Sequence, residues 1–340
     1  MIGQADTMLC GTCVAPGKFA LVPQPMPQAA PEGWVLVDTA AVGICGTDYH
    51  IFDGKHPFLA YPRVIGHELS AHVAQDAGPW RKGQLVVVNP YLACGACRAC
   101  QRGKPNCCTK IEVLGVHRDG GLCARFAVPQ GNLYPADGLT PRQAAMVEFL
   151  AIGAHAVARA DVAQGDLALV TGAGPIGLGA ALFARLAGAE VHVLDASAER
   201  LAAARGFGFD AGFLPGQSLP APEGYDVVFD ATGNARAMEA GFAHVAHGGA
   251  YVLVSVVRDD ITFSDPEFHK REMRLIGSRN ALRADFEGVM AALRDGRIDA
   301  AKLESEVLAL ADLPARLPEL VAQRDAIIKV IVDFTAGGGA

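Results

Sequence analysis

LALVTGAGPIGLGAALFARLAG, residues 167–188, is the stretch that decides the fold. Leu167 to Thr171 read as a short buried strand, and the Ala-rich run after Gly177 reads as a helix. Between them GAGPIG (Gly172, Gly174, Pro175, Ile176 and Gly177 among its residues) has the G-x-G-x-x-G form. Gly172 permits the tight turn, Gly174 lets a backbone approach a pyrophosphate, and Gly177 lets helix and strand pack closely. The helix N-terminus offers unpaired N–H groups and a partial positive charge to phosphates. Such a turn is a weak signal alone; a strand before it, a helix after it and an acid ending the next strand strengthen it.

The same alternation continues. Val191 to Asp195 reads as a strand, AERLAAARGFG as a helix, Tyr225 to Thr232 as a strand, Ala235 to Ala246 as a helix and Ala250 to Val256 as a strand. Strands alternating with helices imply a parallel sheet with right-handed crossovers. Asp195 lies 18 residues past Gly177. A carboxylate there can accept from both ribose hydroxyls of NAD and would repel the 2′-phosphate of NADP. Arg200 is the weaker, phosphate-binding alternative, so NAD is expected over NADP. The bland alternative is that Asp195 only caps the next helix. Thr232, closing its strand, joins the candidate cofactor residues.

Upstream, residues 8 to about 145 read as short β-rich segments, among them Trp34 to Val42 and Gln84 to Asn89, broken by turn formers such as Pro23, Pro57 and Pro62. The C-terminal Ile327 to Phe334 is again strand-like, residues 1–7 read as a loose extension and Gly337 to Gly339 as a frayed tail.

This half also carries metal chemistry. Cys94, Cys97, Cys100 and Cys108 lie in CGACRACQRGKPNCC. Four thiolates so close in sequence can close a tetrahedral cage around one Zn²⁺. A second set comprises Cys45 in CGTDYH with His67 and Glu68 in GHE. A catalytic zinc takes three protein ligands and keeps one position open. Singly, a Cys or His in an apolar segment is more often core than ligand. Glu68 either ligates or sits behind the metal as an electrostatic tuner. Cys10 and Cys13 form a further C-x-x-C, but in a first strand, where a packing role is expected.

Composition narrows the class. Of 340 residues, 51% are hydrophobic and 19% charged, which suits an ordered chain of about two domains. A net charge of -7 argues against nucleic acid as the main partner. Nine cysteines make a poor disulfide framework in a long acidic chain. No secretory signal or long uncharged stretch is visible, so a cytoplasmic protein without a membrane partner is expected.

Taken together, CGTDYH, GHE, the four-cysteine lobe and GAGPIG, in that order, resemble a zinc-dependent member of the medium-chain dehydrogenase/reductase superfamily, from about Met8 to Phe334. The resemblance implies an α/β chain: a GroES-like β-rich catalytic domain (residues 1–147 and 283–340, with a structural-zinc lobe near 90–110) and a Rossmann doubly wound parallel-sheet domain (148–282). It implies two zincs per chain and a homodimer or homotetramer. Cys45 and His67 fall on catalytic zinc ligands. Glu68 falls on a glutamate that can ligate in the polyol branch, and Glu148 on a further metal-side acid, although Glu148-Phe149-Leu150 departs from the usual Glu-Pro-Leu. The lobe cysteines fall on the structural zinc. Cys107 competes for its fourth place, and the spacing favours Cys108.

The resemblance also supplies a mechanism. The metal makes a substrate hydroxyl acidic, hydride passes to C4 of the nicotinamide, and Thr47 and His50 relay the proton outward; the bland alternative is that both satisfy backbone groups at a helix start. Zn²⁺ moves the pKa of water from about 15.7 to about 7, on the order of 12 kcal/mol at about 1.36 kcal/mol per unit. GKPNCC, VLGVHRDGG and FHKREMRLIGSRN resemble the bacterial polyol and sugar-acid branch, with L-idonate or L-galactonate 5-dehydrogenases as the suggested class and L-threonine 3-dehydrogenase or a simple alcohol dehydrogenase as alternatives. His117 and Arg118 are candidates to meet a polar substrate, and Arg279 and Asn280 to lie near the nicotinamide half of the cofactor. A zinc-free quinone reductase would lack both metal sets, and a nucleic-acid zinc module would want a basic face.

Overall fold

The computed structural model describes residues 7–55 and 59–335; the expected N-terminal extension, save Thr7, the Gly337 to Gly339 tail and Pro57 lie outside them. The chain divides into two units, one built from residues up to Glu148 and from Met290 onward, the other from Phe149–Val289.

In the first unit the Trp34–Ile44 strand is the axis of a seven-stranded sheet. The Glu68–Val73 strand pairs along one edge, antiparallel. On the other edge Arg125–Pro129 pairs with the first half and Lys329–Asp333 with the second, so the end of the chain is stitched beside residues 41–44. The sheet continues to Leu85–Val88 and Leu133–Pro135 on one side and to Glu304–Leu308 on the other. Val35, Val37, Val42, Leu69, Val86, Val88, Leu133 and Val330 are all nearly inaccessible and share one core with Leu313, Leu317 and Leu320 of the Leu313–Ala322 helix. A three-stranded sheet (Lys18–Pro25, Thr7–Ala15, Arg63–Val64) adds a second layer; Cys10 and Cys13 are buried in its central strand.

The second unit holds six strands in the order Gly212–Phe213, Glu190–Leu194, Leu167–Thr171, Tyr225–Asp230, Val245–Leu253, Arg274–Gly277. Every pairing is parallel. Numbered within the unit this is 3-2-1-4-5-6, the Rossmann order, whose ligand crevice opens beyond the carboxyl ends of strands one and four. The helices Val147–Ala160 and Pro175–Leu186 cross almost backbone to backbone: a Cβ on Gly153 would lie 2.4 Å from the amide nitrogen of Ala180.

The Leu167 to Thr171 strand stands where the sequence puts it. Others shift. The Tyr225 strand ends at Asp230, not Thr232, because the Asp230 side chain accepts from the Thr232 amide and turns the chain. The helix that begins at Ala235 stops at Gly241, not Ala246, and tightens into a 3₁₀ turn, Phe242–His244, and its following strand begins at Val245, not Ala250, with Gly248 at φ 79° absorbing a register shift. The unit boundaries also differ from the expected 147/148 and 282/283. Both crossings occur inside helices, Val147–Ala160 and Arg283–Arg294, so no loop composition marks them in the sequence.

Candidate active site

Cys45 is the N-cap of the short Gly46–Phe52 helix, in extended backbone conformation. Its amide donates to Asp48 Oδ2 at 2.9 Å, so the carboxylate three residues on caps the helix and fixes the thiol. His67 and Glu68 arrive at the start of the neighbouring Glu68–Val73 strand. One ligand atom each from Cys45, His67 and Glu68 lie within 4.8 Å of one another, the spread of a metal-ligand set.

The groups around this trio are almost all buried and almost all ionisable. Asp48 Oδ1 stands 3.7 Å from His67 Nδ1, and neither atom has a hydrogen-bond partner among the described residues. Glu68, fully buried, receives Lys329 Nζ on both oxygens at 2.6 Å. Glu148, in the first turn of its helix, accepts from the Tyr91 hydroxyl. Burial pushes Asp48 up from the usual carboxylate range and Glu148 up to about 7. Burial would lower His67, but the charges of Asp48 and Cys45 outweigh it and hold the imidazole well above its ordinary value. Lys329 likewise overcomes burial through Glu68 and is raised.

This cluster lacks cationic charge. Four acids (Cys45, Asp48, Glu68, Glu148) face two bases (His67, Lys329). A divalent cation on the trio would supply that charge, let Cys45 and Glu148 ionise and give His67 Nδ1 its carboxylate partner in Asp48, the orienting arrangement of a metal-bound imidazole. The donor set therefore fits zinc. Glu148 is not one of the trio, but its charge is felt by His67. Its neighbour Phe149, the departure from Glu-Pro-Leu, is wholly buried in an unbroken helix.

Thr47 is half-buried and His50 exposed on the same short helix. Asp48, not Thr47, does the capping. Burial and the Arg324 charge push His50 below its ordinary value. His117 accepts from the Val113 amide at 3.1 Å, and Arg118 is tied to Glu112 at 2.5 Å and lies 6.0 Å over the Trp34 ring; these contacts do not bring either to the trio.

The lobe closes a second cage. Cys94, Cys97, Cys100 and Cys108 gather their sulfurs within 4.8 Å of one another, and Cys107 is exposed and outside the group. The amides of Cys94 and Lys110 both donate to Cys108 Sγ at 3.3 Å. Backbone donors from Cys100 and Thr109 lower Cys97 to about 5. Backbone amides aimed at sulfur favour thiolates, the form a metal needs. The antiparallel pair Tyr91–Leu92 and Glu112–Val113 ties off the base of the lobe.

In the second unit the glycine turn follows the first strand. Gly172 has φ 90°, and a Cβ on Gly177 would fall 1.7 Å from the Gly172 carbonyl oxygen, so neither position accepts a side chain. A Cβ on Gly174 would meet nothing nearer than the Arg200 guanidinium at 3.9 Å. That opening, at the N-cap of the Pro175–Leu186 helix, is the cradle a pyrophosphate needs. Asp195 accepts from the Ala173 amide at 2.6 Å and the Ser197 amide at 2.7 Å, with Arg200 3.8 Å away. Each carboxylate oxygen keeps a second lone pair for a ribose hydroxyl. The helix cap is Ser197, so Asp195 does not serve there. Thr232 is bound to Asp230. Arg279 is exposed, and Asn280 has φ 52°.

A chain carrying a thiolate–imidazole metal set and a dinucleotide turn is equipped as a metal-dependent dehydrogenase, and comparison with known proteins agrees. The family described as alcohol dehydrogenase GroES-like domain matches residues 31–138, and that described as zinc-binding dehydrogenase matches residues 175–295. L-galactonate-5-dehydrogenase of Escherichia coli K12 is 41% identical over 315 residues, covering 88% of this chain and 91% of the relative. An alcohol dehydrogenase of Escherichia coli CFT073, crystallised with NADH, superposes with TM-score 0.90 at 27% identity over 96% of this chain and 99% of that one. A zinc-binding dehydrogenase of Sinorhizobium meliloti 1021, bound to NADP, gives 0.87 at 26% over the same shares. The chain belongs to the zinc-dependent medium-chain dehydrogenase/reductase superfamily, in its polyol and sugar-acid branch. The two neighbours hold NADH and NADP, and the zinc-binding family description agrees with the two metal-ligand sets of this chain. No helix among the described residues is long and apolar enough to cross a membrane.

Sequence reasoning missed Asp48, Tyr91 and Lys329. Asp48 had a signal, the capping spacing after Cys45. Lys329 had one too, a single charge inside the apolar IIKVIVDF, since a lysine is almost never fully buried unless paired. Tyr91 had none.

Two outcomes follow. Gly177→Ala should destabilise by about 1–3 kcal/mol, read as a lower Tm, whereas Gly174→Ala should leave Tm unchanged and weaken NADH binding in a fluorescence titration. Lys329→Met, which strands Glu68, should cost about 3–5 kcal/mol in denaturant unfolding, and adding Glu68→Gln should recover most of it.

Proposed function

We propose that the chain catalyses the reversible oxidation of a secondary hydroxyl of a polyol or sugar acid to a ketone, with one catalytic and one structural zinc and with NAD in preference to NADP. The observation that carries the reading is the cluster of Cys45, His67 and Glu68, whose surrounding acids outnumber its bases. Likeness to L-galactonate-5-dehydrogenase supports the sugar-acid class.

The bound cofactors supply Lewis acidity toward the substrate hydroxyl and a hydride acceptor. The protein's own residues do the rest. Cys45 and His67 would hold the metal, and Asp48, 3.7 Å from His67 Nδ1, would orient the ring. Lys329 holds the Glu68 carboxylate on both oxygens, so Glu68 would either complete the metal set or sit behind it as a compensating charge. Tyr91 restrains Glu148, which reaches the metal directly or through water. Thr47, spared from helix capping, takes the hydroxyl proton and passes it toward His50, whose depressed basicity and exposure suit release to solvent. Asp195 accepts from the ribose hydroxyls, and the open face of Gly174 admits the pyrophosphate.

A panel of polyols, aldonates and amino alcohols with NAD, read as NADH absorbance, tests the reading. Sugar acids or polyols should be turned over best, chelation should abolish the activity and added zinc should restore it; a clear preference for L-threonine would move the chain to a different substrate class. Two substitutions sharpen it. Thr47→Val should lower kcat at least several-fold with zinc content intact. Asp195→Ser should shift the NAD:NADP ratio of kcat/KM toward NADP by about tenfold, roughly 1.4 kcal/mol.

A further inference from the structure

We propose that Asp230 is the positioning residue of the dinucleotide site: its carboxylate ties the end of the Leu167–Thr171 strand to the Ala231–Gly233 turn and thereby sets cofactor affinity without touching the cofactor. The inference rests on the nicotinamide reading above.

Asp230 ends the Tyr225–Asp230 strand, the fourth of the 3-2-1-4-5-6 sheet, and is fully buried. Its strand partner is Thr171, the last residue of the first strand. These are the two strand ends that flank the ligand crevice of this topology, where the chain leaves the sheet in opposite directions. Loops departing in opposite directions lose their shared ladder and need another tie.

The carboxylate provides it. Oδ2 lies 3.0 Å from the Thr171 hydroxyl, which also reaches the Phe229 carbonyl at 3.1 Å, and 3.3 Å from the Tyr251 hydroxyl of the adjacent strand, which also reaches the Met238 carbonyl at 2.8 Å. Oδ1 accepts from the Thr232 amide at 2.9 Å and the Thr232 hydroxyl at 2.8 Å, with the Ser255 hydroxyl at 3.5 Å. Ser255 Oγ in turn accepts from the Gly233 amide at 2.8 Å. One side chain thus joins three neighbouring strands and the turn beyond them, and all five groups aimed at it are amide or hydroxyl donors.

The anchored turn is also the wall on which the glycine turn rests. A Cβ on Gly172 would lie 2.9 Å from the Ala231 carbonyl carbon and oxygen and 3.0 Å from the Thr232 nitrogen. The Ala231 amide donates to the Thr171 carbonyl at 2.8 Å. Moving the 231–233 turn therefore moves Gly172, and with it the cradle at Gly174. A residue that merely filled space here would need no carboxylate; two acceptor oxygens facing opposite groups of donors are what hold both loops to one register.

The test uses the zinc-loaded full chain and three readouts: NADH Kd by fluorescence, kcat and KM for NAD, and Tm. Asp230→Asn keeps the shape but removes the charge and one of the two acceptor oxygens that face the 232–233 turn and the Thr171 strand. It should raise the NADH Kd about tenfold or more, as small misplacements of a binding framework do, and raise KM for NAD while kcat at saturating NAD stays near wild type. Thr171→Val should raise Kd in the same direction, and the pair should be non-additive. If Asp230→Asn fails to fold, Thr171→Val and Tyr251→Phe, each deleting one donor, decide the matter. An unchanged Kd across the folded variants, whatever their Tm, overturns the proposal, because a purely structural brace would move Tm alone. A wild-type protein that binds no NADH refutes the cofactor reading itself, before any variant is compared.

Discussion

Lys329 and Glu68 are two opposite charges with no access to water, and the metal-binding unit is organised around their pairing. Taking either out of water alone costs several kcal/mol; together, with both carboxylate oxygens bound to one ammonium, they offset much of that. Glu68 can lie under Cys45 and His67 only because the last strand of the sheet delivers a cation there, and because Gly43, its cross-strand partner, has no Cβ: one would fall within 2.1 Å of Glu68 Oε2. The glycine opens the space, the lysine neutralises what fills it, and the metal set is built above the pair.

The remaining electrostatics follow from what that pairing leaves unbalanced. Lys329 answers Glu68, so Asp48, Glu148 and Cys45 are left to His67. Burial holds the protons of Asp48 and Glu148 in place, which is why Glu148 rises to about 7 and Tyr91, donating to it, rises well above its ordinary value. The unit is thus set to exchange protons for a divalent ion, with an affinity that strengthens as pH rises through neutrality. The four-cysteine lobe solves a similar problem differently: there backbone amides, not opposing charges, lower Cys94 and Cys97, while burial raises Cys100.

What could be read from the sequence follows from how far apart the interacting residues lie. GAGPIG, its flanking strand and the cysteine spacing are local, so neighbours in the sequence are neighbours in the fold: the sulfurs of Cys94, Cys97, Cys100 and Cys108 gather and Cys107 is exposed outside them. Cys45, His67 and Glu68 were legible as motifs, and the family resemblance joined them. The Lys329–Glu68 pair spans 261 residues, and a sheet pairing at that separation leaves only one local trace, a charge in an apolar run. Tyr91 left no trace, because a tyrosine after Pro90 reads as strand. The chain passes between units within regular helices, where composition does not change, so no local signal marks the crossings. Asp230 was seen only as part of a strand; its role depends on which strands are neighbours, and strand order is not written locally.

The split of the first unit between the two ends of the chain has a consequence for biosynthesis. The parallel-sheet unit is one uninterrupted run, so all its strands have left the ribosome by the time Val289 emerges. The strand bearing Glu68 is made far earlier, yet its counter-ion is translated forty residues after that point. Until then the carboxylate lacks its ammonium partner, and the seven-stranded sheet lacks the Lys329–Asp333 strand that pairs with residues 41–44. The zinc-binding pocket is therefore among the last features of the nascent chain to be completed, after the nucleotide-binding half has had time to fold.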